Sequence, residues 1–190
     1  NLLMKYALIG CGRISPNHIA AAVANKLEIV AMCDINSDNI VDKKLKFDLP
    51  DTVKEYLDYR EMLRKEKIDL IAIATESGKH AQIALECIEA GCNLIIEKPI
   101  ALSLEDADEI IRKADEKGVK VCACHQNRFN KSIQKIREAV DKKRFGKMWE
   151  CPDFFELGAK IRVFSALEIE KSGWMHYNRR NIPIYPKAAY

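Results

Sequence analysis

Five short apolar runs punctuate the chain, separated by stretches of mixed polarity. Tyr6–Ile9, Glu28–Cys33, Leu70–Ala74, Asn93–Ile96 and Val119–Cys124 place apolar residues at consecutive rather than alternate positions. Runs of this kind suit strands buried on both faces, as in a parallel sheet covered by helices. Between them Pro16–Asn25, Tyr59–Lys65, Lys79–Ala90 and Leu104–Lys117 carry a helical period. The last shows its ends most plainly. Ser103 stands where an N-cap belongs, Asp106 falls at N3, Leu104, Ala107, Ile110, Ile111 and Ala114 share one face, and Gly118 stops the helix. Val53–Tyr56 reads as a short additional strand. Alternation of strands and helices predicts the α/β class and a doubly wound parallel sheet with right-handed crossovers.

The pattern changes near Gly146. The stretch FGKMWECPDFFEL reads as a new strand around Trp149–Phe155, too apolar for a linker, and no sustained period follows from Gly158 to Tyr190. The expected organisation is one domain over residues 1–145, with residues 146–190 as the start, or an atypical truncated remnant, of a second α/β domain.

Composition narrows the function classes without naming one. The 190 residues carry 31 basic and 28 acidic side chains, a net charge of +3 spread along the chain, which gives no footprint for nucleic acid or an anionic membrane. No apolar run approaches the ~20 residues that span a bilayer, and the N-terminus lacks a signal layout, so a cytoplasmic protein is expected. The seven cysteines are odd in number and form no C-x-x-C pair. They read as buried, reduced thiols, and no His/Cys spacing points to a metal.

The chemistry begins at the end of the first run, in ALIGCGRISPNH. Gly10 permits a tight turn out of the strand, and Gly12 lets backbone approach a pyrophosphate without a Cβ in the way. The helix that follows offers N–H groups and a positive dipole end to that anion. Ser15 replaces the third glycine of the usual fingerprint and is small enough for close packing of helix on strand. The second run ends in Asp34, 22 residues beyond Gly12, where a carboxylate meets the adenine ribose of a dinucleotide and repels a 2′-phosphate. NAD is therefore expected in preference to NADP. Thr75 follows the third run and His80 opens the next helix, so both belong to the carboxyl edge of the sheet, where ligands bind. Glu97, Lys98 and Pro99 follow the fourth run directly. At that edge a partly desolvated lysine, with three donors, holds a substrate hydroxyl beside a nicotinamide and relays its proton.

The segments GCGRISPNH, AMCDIN, ATESGKHAQIALECIEAGCNLIIEKPIALS and HQNRFN…FGKM resemble the glucose–fructose oxidoreductase/inositol 2-dehydrogenase (Gfo/Idh/MocA) family over roughly residues 4–150. The E-K-P motif is the most specific of them. The resemblance implies a Rossmann fold, NAD as cofactor, and an NAD-dependent dehydrogenase acting on a secondary alcohol of a sugar or sugar nucleotide. It implies Lys98 as the catalytic residue in substrate binding and proton relay, with Glu97 and Pro99 shaping the nicotinamide pocket and Arg128 facing cofactor or substrate. With Gly10, Gly12, Arg13, Ile14, Asp34, Ile35, Thr75 and His80, these complete the expected cofactor-binding set. The stretch CHQNRFNKSIQKIREAV is most similar to members that oxidise the C3 hydroxyl of nucleotide-linked amino-sugar uronates. A homo-oligomer is implied through the family's second domain. Glu76 departs from the family, where proline is common, and SGWMHYNRRN with His176 is a weak echo of that second domain's active-site segment. On these grounds a dinucleotide-binding module without turnover stands as the alternative reading.

Overall fold

The structure, a computed structural model, describes residues 3–144. Six parallel strands form one sheet: β1 Lys5–Ile9, β2 Glu28–Cys33, β3 Lys54–Tyr56, β4 Leu70–Ile73, β5 Asn93–Ile96 and β6 Val121–Ala123. Their order across the sheet is β3-β2-β1-β4-β5-β6. Chain direction across the sheet reverses between β1 and β4, and the carboxyl ends of these two strands open the crevice where doubly wound folds bind ligands. Register there is regular, with Ile9 beside Ile73 and Ile73 beside Ile96.

Helices cover both faces. On one, α1 (Ser15–Ala24) and α2 (Ser37–Lys46) bury Ile19, Ala22 and Ile40 against Tyr6, Leu8, Met32 and Ala72. On the other, α3 (Tyr59–Lys65), α4 (His80–Glu89) and α5 (Leu104–Lys117) pack Met62, Ile83, Ile88 and Ile110 on Ala7, Ile9, Ile71 and Ile73. Alternate residues of β1 and β4 thus serve opposite cores, which is why their sequence is apolar without a break. The helix over Leu104–Lys117 ends as its sequence predicts. The Ser103 side chain accepts from the Asp106 N–H, and Gly118 closes it in the left-handed conformation at φ 67°.

Two helices differ from the sequence expectation. The stretch before β3, for which no element is predicted, is α2, N-capped by the Asn36 side chain, which accepts from the Asp38 N–H. A further helix, α6 (Lys131–Asp141), follows a 3-10 turn over Gln126–Phe129, and none of its residues is buried. The third strand begins at Lys54 rather than Val53, and β6 is three residues long where six were expected. The expected strand at Trp149–Phe155, His176 and the 146–190 segment lie outside the described residues.

Candidate active site

The glycine turn is fixed by close backbone contacts. Gly10 has φ +95°, and a Cβ there would stand 2.6 Å from the Ala74 carbonyl carbon and oxygen and 2.8 Å from the Thr75 nitrogen. Its N–H donates to the Cys33 carbonyl at 2.8 Å, tying the turn to the end of β2. A Cβ at Gly12 would meet nothing within 4 Å, so the backbone there faces open space in front of α1. That helix has no side-chain N-cap; Ser15 N–H donates to the Gly12 carbonyl at 3.3 Å, Asn17 N–H to the Ile14 carbonyl at 3.1 Å and Pro16 has none, so what α1 presents to the opening is its positive dipole end. Ser15 is fully buried, and its hydroxyl donates to the Gly12 carbonyl at 2.6 Å, so the residue replacing the third glycine also braces the turn. Arg13 is exposed and Ile14 half-buried at this opening.

Asp34 lies beside the turn. Its Oδ2 accepts from the Cys11 N–H at 2.7 Å, and its Oδ1 accepts from the Asn36 N–H at 2.9 Å and the Asn39 side-chain amide at 3.2 Å. A carboxylate has about four acceptor sites, so Oδ2 keeps room for one further donor, while Oδ1 already accepts two. Ile35, which follows, is 94% exposed and presents an uncovered apolar surface at the same corner. An uncapped helix end, an open glycine and a carboxylate with room for a hydroxyl fit pyrophosphate and adenosine ribose.

Thr75, half-buried, and the turn Glu97–Pro99 form the far side of the crevice. His80 is placed differently from the sequence expectation. It is 1% exposed, with Nδ1 2.7 Å from the Pro99 carbonyl and Nε2 3.0 Å from the Thr75 carbonyl. Both ring nitrogens face these backbone carbonyls, one of them donating, so His80 joins the two loops of the crevice and turns neither nitrogen outward. Lys98 is exposed, not partly desolvated as expected. Arg128 lies in the 3-10 turn after β6, half-buried. Burial first, then the charges of Arg128 and Lys98, lower the pKa of His125 against the opposing charge of Glu97.

Beneath Lys98 the Glu97 side chain is 8% exposed and hydrogen-bonded to His18 Nε2 at 2.9 Å. Cys124 stands against it. Among the described residues His18, Glu97 and Cys124 bring ligand-type atoms within 4.8 Å of one another. Three different elements supply them, so no spacing along the chain displays the group. The one available signal was His18 on the buried face of α1, among Ser15, Ile19 and Ala22.

Among the described cysteines, Cys11, Cys33, Cys87 and Cys92 are buried and Cys122 and Cys124 half-buried; all six are free thiols. Burial first, then the charge of a nearby carboxylate, pushes Cys11, Cys33 and Cys124 up to about 12. The thiolate is the reactive form. Alkylation of these three by iodoacetamide at pH 8, followed by peptide mass mapping, should run more than about tenfold slower than for a free thiol and accelerate as pH rises.

Fold and site together define a dinucleotide-binding Rossmann domain of the oxidoreductase kind. The family model for the Gfo/Idh/MocA oxidoreductases, NAD-binding Rossmann fold, matches residues 4–125, and the chain belongs to that family. It is 33% identical over 137 residues to the D-apiose dehydrogenase of Paraburkholderia graminis, covering 72% of this chain and 36% of that one. It is 26% identical over 145 residues to the myo-inositol 2-dehydrogenase of Thermotoga maritima, covering 76% and 42%. The crystal structure of the WlbA dehydrogenase from Bordetella pertussis, in complex with NADH and UDP-GlcNAcA, matches with TM-score 0.69 and 30% identity, over 83% of this chain and 50% of that one. The chain spans half or less of the length of these relatives.

Proposed function

We propose that this chain is the cofactor half of an NAD-dependent dehydrogenase that oxidises a secondary alcohol of a sugar or sugar nucleotide, with a nucleotide-linked amino-sugar uronate as the favoured substrate class. The observation that carries the reading is the shared crevice. The glycine turn bonded to Asp34 lies at the end of β1, and the E-K-P turn closes the neighbouring pair of strands. The likeness to a dehydrogenase complexed with NADH and UDP-GlcNAcA supports the choice of substrate class.

NAD, when bound, supplies the hydride acceptor at nicotinamide C4. The chain's own residues do the rest. The α1 N-terminus and the backbone around Gly12 hold the pyrophosphate, and Asp34 holds the adenosine ribose. Lys98 orients the substrate hydroxyl and takes part in moving its proton, while Arg128 neutralises negative charge on the ligand. No described helix is long and apolar enough to cross a membrane, and a soluble small-molecule substrate suits that.

Titration calorimetry with NADH and NADPH tests the assignment. The 2′-phosphate would stand beside Asp34 as an uncompensated like charge, so NADH should bind on the order of tenfold or more tightly. Asp34→Ala should narrow that ratio. Equal or stronger binding of NADPH by the unaltered chain would remove Asp34 from the ribose site.

A further inference from the structure

One buried carboxylate ties the two ends of the crevice together. Glu97 Oε1 lies 2.9 Å from His18 Nε2 and 3.3 Å from Gln126 Nε2, and its Oε2 accepts from the Lys98 backbone N–H at 3.3 Å. A carboxylate accepts and does not donate, so His18 Nε2 carries the hydrogen of that bond. The three donors arrive from different places. His18 sits one turn inside α1, the helix whose N-terminus faces the pyrophosphate. Lys98 belongs to the turn leaving β5, and Gln126 opens the segment after β6. Glu97 is also pinned by its backbone, whose N–H donates to the Ile73 carbonyl at 2.9 Å.

A carboxylate removed from water is costly unless its oxygens are bonded, and losing one donor leaves that cost exposed. Cys124 stands by Glu97, and its thiol, pushed up to about 12 and so kept protonated, is a weak donor that replaces only part of a lost His18 bond. Without His18 the Glu97 carboxylate loses its shortest side-chain hydrogen bond, and with it the tie between α1 and the Lys98–Pro99 turn. We infer that His18 is a positioning residue: through Glu97 it sets the E-K-P turn, and hence the nicotinamide end of the site, relative to the helix that holds the pyrophosphate. Gln126 assists from the opposite side. The inference rests on the dinucleotide reading above, and concerns residues that touch neither phosphate nor sugar.

A pair of ligands separates this role from a merely structural one. ADP-ribose uses the pyrophosphate and ribose contacts but has no nicotinamide, whereas NADH uses both ends. By titration calorimetry, His18→Ala should weaken NADH about tenfold and change ADP-ribose less than about twofold. His18→Gln, whose amide still donates, should recover most of the loss. If His18→Ala does not fold, Gln126→Ala, at an exposed position, is expected to weaken NADH about threefold in the same ligand-selective way. Equal loss of both ligands, or loss of neither, would overturn the positioning role. A cobalt(II) titration of the unaltered chain that produced a thiolate charge-transfer band, absent in Cys124→Ser, would overturn it in favour of a metal centre at His18, Glu97 and Cys124. Failure of the unaltered chain to bind either nucleotide would instead overturn the dinucleotide reading, and this inference with it.

Discussion

Gly10→Ala is expected to abolish nucleotide binding and to lower the melting temperature by about 10 °C or more, if the protein folds at all. Three penalties coincide at this residue. Its φ of +95° is strained for any L side chain, and the added Cβ would press on the backbone of Ala74 and Thr75 at 2.6–2.8 Å, where nothing flexible can give way. The Gly10 N–H bond to Cys33 leaves the turn no direction in which to retreat. Backbone strain and overpacking together cost about 3–5 kcal/mol, a large share of the ~5–15 kcal/mol that holds a domain folded. Gly12→Ala is the control. Its Cβ meets no protein atom, so stability should hold while the methyl group takes space from the pyrophosphate and weakens NADH. Thermal melts and calorimetry on both variants decide the matter. A Gly10→Ala protein with unaltered melting and binding would show that β1 and β4 approach less closely than described.

The second large effect falls on Lys98. Being exposed, it contributes little to the fold, so Lys98→Ala should leave stability within about 0.5 kcal/mol. On the proposed dehydrogenase reading, turnover should fall about 10²–10⁴-fold, the loss typical of a removed general acid–base group. Stopped-flow reduction of NAD with a sugar-nucleotide substrate would read it. A variant with lowered melting temperature and undiminished turnover would make Lys98 a structural residue.

The fold was legible where burial is two-sided. β1 and β4 face a core on each side, so each residue must be apolar, and the runs announce themselves. The capped helix α5 was equally plain, because Ser103 and Gly118 mark its ends with local chemistry. By contrast α2 buries one residue, Ile40, and its sequence SDNIVDKKLK shows little of a helical face. Its cap, Asn36, is also a good turn residue, so the start of the helix carries no distinctive signal. The helix α6 buries no residue, so burial gives it no periodic signature to detect. In the site, glycine spacing and the acid at the second strand carried the adenosine end. The tie between His18 and Glu97 was not visible, since the partners are 79 positions apart and meet because of sheet order. His80 misled for a related reason. A histidine opening a helix at the ligand edge resembles a binding group, and the carbonyls that occupy it, Thr75 and Pro99, come from two loops that a linear reading keeps apart.

The position of β1 at the centre of the sheet also orders events during synthesis. On one side Lys5 pairs with Glu28, and on the other Tyr6 pairs with Leu70. Closing the longer of these loops costs about 1 kcal/mol more in chain entropy, and the longer partner leaves the ribosome later. The β1–α1–β2 unit, with the glycine turn and Asp34, is therefore complete while the strand that leads to Glu97 is still unmade. His18 is made 79 residues before the carboxylate it bonds. The adenosine half of the crevice assembles from neighbours, and the nicotinamide half must be brought to it from a distance.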